Sequence, residues 1–419
     1  MFLSNVKNKK EIFSWSLYDF ANQPFSTIIV TFIYSTLFTT SICTQDGEKI
    51  WGSAIAITSI LVALFSPIFG ALSDKGGYRK FFLIFFTCIC AIFSMLLYFP
   101  KEGDVYLAVT CFIIANVAFE MGHVFCNSYL PDISSKENIG RISGFAWGIG
   151  FLGGLIALFV SLLLFDVNNS YNSYEETRRI NIFVGLWFLC FSLPTFIYVN
   201  DKRKERITRN HIIDSFQSIK NTFQQVKEYR QIVKFLIARL FYNDALITIF
   251  AFGGPYAKKT LDFSMNEVFL FGIVLSISAG IGSFVFGYLE DKIGVAKVIK
   301  VSLYFLIIAT FLAYIAPETH FPKEIFWSAG ILLGFMIGPN QSCSRSLMAR
   351  LVPKDKQNEF FGFFTFTGKA TAAVGPFLFG LIASEYDQQI ALLIIIVLFI
   401  IGFVLFNNIR FDEKIDFNK

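Results

Sequence analysis

Long apolar runs, each bounded by charges, prolines or glycines, divide the chain into about a dozen segments. They lie near residues 12–41, 50–72, 79–99, 104–130, 139–165, 179–199, 232–256, 265–289, 296–316, 323–350, 358–383 and 388–409. A helix needs about 20 residues to cross a hydrocarbon core of about 30 Å, and most of these runs meet that length. The pattern predicts an all-α membrane protein with twelve transmembrane helices.

Polar residues inside the runs recur at helical spacing. Asn116, Glu120, His123 and Asn127 follow one another at intervals of four, three and four, which puts them on one face of the fourth segment. Asp19, Asn22 and Ser26 make a shorter stripe in the first. In the seventh, Arg239 and Asn243 share a face with Asp244 one step round; in the tenth, Asn340, Gln341, Ser344 and Arg345 follow Pro339; the eleventh carries Lys369. An ionisable group at the centre of a membrane helix costs about 2.5–3.5 kcal/mol, so such residues face a water-filled cavity or one another. Two readings follow. These residues bind cargo or couple ions, or they pair among themselves and fix helix register. Glu120, Asp244 and Lys369 lie nearest mid-depth, and Lys369 has either carboxylate as a candidate partner. Asp19 and Arg345 lie nearer helix ends. His123, one turn from Glu120, is either a proton-relay neighbour or a packing residue.

Composition agrees with the pattern. Of 419 residues 54% are hydrophobic and 16% charged, against about 25% charged in a soluble domain, which excludes a water-soluble globule. Seven scattered cysteines form no zinc spacing or disulfide framework, and no metal or cofactor is expected. The first residues lack the apolar core and small-residue site of a cleaved signal peptide, so the first helix is expected to direct insertion itself. The net charge of +5 resides mainly in loops and predicts orientation rather than nucleic-acid binding. With both termini cytoplasmic, inner loops and tails hold about 27 of the 36 Lys and Arg and outer loops about 7.

Around residues 201–231 lies a basic stretch in which Ile212, Phe216, Ile219, Phe223 and Val226 recur at helical spacing. It predicts an amphipathic linker helix on the membrane surface between two domains, 1–200 and 232–419. The two domains repeat one another. GALSDKGG (Gly70 to Gly77) and GYLEDKIG (Gly287 to Gly294) share G-x-L-x-D-K-x-G, each between the second and third segments of its half. LYDFAN around Asp19 parallels FYNDAL around Asp244. Duplicated halves of six helices joined by a basic loop are a transporter architecture. Enzymatic activity is not expected: His123, His211 and His320 fall at different depths, and no H-E-x-x-H, P-loop or nucleophile elbow occurs.

The stretch from Gly70 to Lys80 resembles the loop between helices two and three of the major facilitator superfamily. That resemblance implies a gating role for Gly70, Asp74, Arg79 and Lys80, and for Gly287 and Asp291 in the second copy. Gly70 would allow close helix approach, Asp74 would face a helix N-terminus or an arginine, and Arg79 and Lys80 would anchor at anionic headgroups. The second copy ends in Val295-Ala296-Lys297 and lacks the Arg-Lys pair. WSLYDFAN (15–22), FCNSYLPDI (125–133), GRISGFAWGIGFLGG (140–154), FYNDALITIFAFGG (241–254) and GPNQSCSRSLMARLVP with EFFGFFTFTGKA (338–353, 359–370) resemble the unknown major facilitator branch. That branch is similar to the fungal autophagy-related vacuolar effluxer of amino acids. The resemblance implies a cavity lined by the first, fourth, seventh and tenth helices and a compact prokaryotic relative in the inner membrane. The expected function is secondary active transport of a small polar solute, an amino acid or related metabolite, with proton coupling through Glu120 and His123 as a further expectation. The partners expected are the lipid bilayer, the solute and protons, with the chain a monomer. The alternative is a non-transporting receptor or assembly partner with the same fold.

Overall fold

Each apolar run folds into helix, and the described residues contain no strand. The computed structural model describes residues 8–165, 173–201, 209–225, 227–370, 372 and 374–411. Eleven spans are long and apolar enough to cross a membrane: Lys9–Ile42, Gly47–Lys75, Arg79–Leu96, Val105–Ile133, Ile139–Leu164, Tyr174–Tyr198, Arg230–Thr260, Leu270–Ile293, Val295–Glu318, Gln357–Glu385 and Gln388–Asn407. Between the ninth and eleventh positions in chain order stands Pro322–Leu351, equally long and richer in polar residues. It is the tenth span, and numbering below follows chain order from one to twelve.

Several spans are irregular where the sequence supplies a cause. The first is α-helical over Lys9–Pro24 and then widens to a π-helix over Phe25–Phe32, starting at the residue after Pro24. Proline carries no N–H to give the preceding turn, and π-segments tend to accompany functional sites. The fourth is regular to Asn127, with a short turn of helix at Leu130–Ile133. The eleventh is split into Gln357–Ala370 and Val374–Glu385 just before Pro376. Ser264 and Glu267 cap the start of the eighth span reciprocally.

The first span packs on the fifth and sixth, and the third on the fourth and sixth. In the second half the seventh packs on the twelfth, and the ninth on the tenth and twelfth. Two seams join the halves, the second span against the eleventh and the fifth against the eighth. Small residues make both possible. Gly144 and Gly287 meet backbone to backbone across one seam, and Gly70 abuts the Asn358 carbonyl across the other.

The linker forms a helix over Arg209–Gln224 that packs on the second span. Its polar face also meets the eleventh span. Ser218 Oγ donates to Glu359 Oε2 at 2.7 Å and Thr222 Oγ1 to Glu359 Oε1 at 2.5 Å. The expected apolar face rests on Ile212, Phe216 and Phe223, whose side chains lie outside the described residues, as does Val226.

Candidate transport cavity and its closed end

Between the halves lies a cavity of ≈ 720 Å³, within the range of about 300–1,000 Å³ typical of small-molecule sites. One part of its wall is polar: Glu120, His123 and Asn127 from the fourth span, Arg239 and Asn243 from the seventh, Gln341 and Arg345 from the tenth, Lys369 from the eleventh. Elsewhere the wall is mainly apolar, with Phe250, Phe252, Phe271 and Leu333. From the first span come Ser26, Thr27 and Thr31, all within its π-helical stretch.

Glu120 and Lys369 meet across the halves, Oε1 to Nζ at 2.6 Å, with both side chains partly open to the cavity. Arg239 Nη1 donates to the Phe364 carbonyl at 2.7 Å and to Thr367 Oγ1 at 3.3 Å, and its guanidinium lies 3.6 Å from the centroid of the Phe364 ring. Gln341 donates to Asn243, and Asn243 to the Gly368 carbonyl. The His123 ring meets Phe119 edge-on, with its Nε2 buried and unpartnered.

Other stripe residues face elsewhere. Asp244 Oδ2 accepts from the Gly375 N–H at 2.8 Å. The split in the eleventh span leaves N–H groups without helical partners at the start of Val374–Glu385, and Asp244 satisfies one of them. Asn340 turns to the ninth span, donating to Ser302 Oγ at 3.1 Å. Asn116 is buried in packing off the cavity wall. Asn22 is buried too, with both amide atoms unpartnered. Asp19 lies behind the wall, where its Oδ2 accepts from Arg345 Nη1 at 2.8 Å.

That ion pair is the centre of a closed end. Arg345 also donates to Ser143 Oγ at 3.0 Å, the Ser143 carbonyl at 2.8 Å and Asn127 Oδ1 at 3.2 Å, with Trp15 and Trp147 rings beside it. Arg345 belongs to the second half and all of these partners to the first. The same end of the molecule carries the described N-terminal residues and the linker.

Around the pair, the two repeated loops do the same thing on the two seams. Asp74 accepts from the backbone N–H of Asn358 at 3.1 Å and of Glu359 at 2.8 Å, at the start of the eleventh span. Asp291 accepts from the N–H of Gly140 at 2.9 Å and of Arg141 at 3.0 Å, at the start of the fifth. Each carboxylate ends one helix and faces the positive N-terminus of a helix in the other half. Arg79 turns inward rather than to headgroups, binding Asp132 at 2.8 Å and Gln357 at 2.6 Å, because these acceptors lie within its reach. Lys80 enters through its backbone, whose N–H donates to Asp201 at 2.7 Å.

The second copy lacks the Arg-Lys pair but not its cations. Arg141 donates to Asp291 at 3.1 Å, and Arg350 binds Glu290 at 3.2 Å and Asp291 at 3.3 Å. Sequence reasoning missed Glu290 and Arg350. The available signal was that Glu290 replaces Ser73 between the copies, a buried carboxylate needing a cation from elsewhere in the chain. Asp74→Ala and Asp291→Ala should therefore each weaken closure, by about 0.5–2 kcal/mol, the range for losing a helix cap. Alkylation of a cysteine placed at Ser342 measures it: faster labelling is expected in both variants, and a change in Asp74→Ala alone would mean the second loop bears no load.

Comparisons with known proteins fit this geometry. The family described as "Vacuole effluxer Atg22 like" matches residues 50–415. An MFS-type transporter of Bacillus subtilis, YxiO, is 27% identical, covering 97% of this chain and 96% of that protein. Autophagy-related protein 22 of Vanderwaltozyma polyspora is 22% identical, covering 96% and 91%. Among solved structures, a bacterial homologue of the iron transporter ferroportin in an outward-facing state superposes with a TM-score of 0.73 at 13% identity, covering 95% of this chain and 98% of that one. The proton:xylose symporter XylE superposes at 0.71 with 14% identity, covering 96% and 97%. The chain therefore belongs to the Atg22-like vacuole effluxer family and has the fold of the major facilitator superfamily, a group of membrane transporters rather than enzymes.

Proposed function

We propose that the protein is a secondary active transporter that carries a small polar solute, an amino acid or related metabolite, by alternating access around the central cavity. The observation that supports this best is the Glu120–Lys369 bridge: opposite charges from opposite halves meet in the cavity wall at 2.6 Å, where cargo entering between them contacts both halves at once. The closed end agrees with one state of such a cycle. With both termini cytoplasmic, as the distribution of Lys and Arg predicts, this state opens outward and is sealed toward the cytoplasm. An ammonium group on the cargo is matched by Glu120 rather than Asp244, which is occupied capping a broken helix. Protons enter through the same carboxylate, with the unpartnered His123 Nε2 on the same helix face as the relay. The description of the matching family names efflux, which supports a transport role for the cavity.

Uptake of labelled amino acids into proteoliposomes, with and without an inward proton gradient, tests this. Glu120→Gln should abolish the gradient-driven component while the protein still elutes as a folded species. Unchanged transport in that variant would remove Glu120 from the mechanism, and failure to move any amino acid would remove the cargo assignment.

A further inference from the structure

The charged groups of the cavity wall do not cancel. Glu120 is committed to Lys369 and Arg345 to Asp19, each at hydrogen-bonding distance. Arg239 is left over: among the described residues no carboxylate lies within ion-pairing distance of it. The nearest acid along its own helix, Asp244, is turned to the Gly375 amide. Arg239 is nevertheless 6% exposed and lines the cavity. A buried guanidinium without a carboxylate in contact is expensive, and the acid that acts on Arg239 from further off, Glu120, is already paired with Lys369.

Its hydrogen bonding is equally incomplete. Of five N–H donors, Nη1 uses two, on the Phe364 carbonyl and Thr367 Oγ1. Nε is buried without a partner, and Nη2 donates to no described group. Two of the three unused donors, the Nε N–H and one Nη2 N–H, form a fork whose parallel N–H groups match the two oxygens of a carboxylate. Phe364 covers one face of the plane and the Nη1 bonds fix its rotation, so the fork is oriented before any ligand arrives.

We propose that Arg239 is the anchor for a carboxylate of the cargo, so that the solute class is a small carboxylic acid anion and an ammonium group is optional. This rests on the reading of the cavity as the transport site. A carboxylate seated on Arg239 leaves Glu120–Lys369 intact. A cargo ammonium, by contrast, competes with Lys369 for Glu120 and adds to binding only by opening that bridge. Lys369 is the weaker candidate for the carboxylate because its charge is already met.

The test is ligand-induced thermal stabilisation of the purified full chain. The probes are acetate, butyrate, succinate and 3-phenylpropanoate, each beside its own amide, with L-alanine, L-alaninamide and inorganic phosphate. Wild type should be stabilised by at least one carboxylate and bind the matching amide at least about tenfold more weakly, the loss expected for charge-assisted hydrogen bonds. Arg239→Gln should abolish that preference, and Arg239→Lys should retain part of it. Size-exclusion profiles report folding, and Arg239→Lys keeps the test decisive if Arg239→Gln does not fold. Equal binding of acid and amide, unchanged acid binding in Arg239→Gln, stabilisation by phosphate alone, or no stabilisation by any carboxylate would each overturn the proposal. The two readings fail separately. Gradient-driven amino-acid uptake that survives Arg239→Gln keeps the transporter and loses the anchor, whereas Arg239-dependent carboxylate binding without any uptake keeps the anchor and loses the transporter.

Discussion

Replacing Arg345 with glutamine is expected to open the end of the protein that carries the linker. In the closed state the Arg345 guanidinium spends its donors on Asp19, Asn127 and both oxygens of Ser143, all in the opposite half. Glutamine reproduces none of this fork and leaves the Asp19 carboxylate buried without its counter-charge. Removing one member of a buried ion pair costs about 3–5 kcal/mol, a shift of more than a hundredfold in a two-state equilibrium. The cost falls on the closed arrangement, since separating the halves lets water reach Asp19. Asp19→Asn should act in the same direction, and the double variant should recover part of the loss because neither side then holds a buried unpaired charge. Alkylation of a cysteine at Ser342, whose carbonyl accepts from Ser143 across the same junction, reads the opening directly. If the pair merely fixed helix register, the melting temperature would fall and the labelling rate would not change.

Asp19 and Arg345 are 326 positions apart, and this separation explains what the sequence could and could not disclose. Hydropathy is a local property, so the apolar runs located nearly every span, including the polar tenth. The repeat G-x-L-x-D-K-x-G likewise placed Asp74 and Asp291 at equivalent helix ends. The helix N-termini they meet begin far along the chain, and nothing local to either loop names them. The second loop looked weaker for the same reason: one of its cations, Arg350, comes from a span nearly 60 residues on, and the other, Arg141, from the opposite half.

Facing was the harder problem. Glu120 and Asp244 read alike as mid-depth carboxylates, yet one opens to the cavity and the other caps a broken helix. The break was foreshadowed by Gly375-Pro376, but its consequence for Asp244 depends on how the seventh span packs against the eleventh. Similarly, the periodicity of the linker identified its apolar face, whereas the contact with the eleventh span is made by Ser218 and Thr222. Spacing alone ranked the first face and was silent on the second, because an amphipathic helix has two faces to offer.

The glycine seams give the second large effect, and they test closure without touching a charge. A Cβ at Gly144 would collide with the Ser283 carbonyl and lie 2.7 Å from the Gly287 Cα, while one at Gly287 would lie 2.9 Å from the Gly144 Cα. These are backbone atoms of packed helices and cannot rotate aside as a side chain would, so Gly144→Val must push the fifth and eighth spans apart. Overpacking of this kind costs about 1–3 kcal/mol. The other seam repeats the arrangement, with Gly70 against the Asn358 carbonyl and Gly362 against that of Ser66. Gly70→Val is therefore expected to shift the protein the same way, and the two changes should add, because they act on separate pairs of spans. Gly380, with nothing within 4 Å of a Cβ, is the control, and Gly380→Ala should leave the equilibrium in place. Distances between spin labels at the linker end and at the opposite end report the outcome: the linker-end distance should lengthen in both valine variants. A lower melting temperature with unchanged distances would instead make the seams ordinary helix packing, and closure would then rest on the polar contacts around Arg345, Asp74 and Asp291.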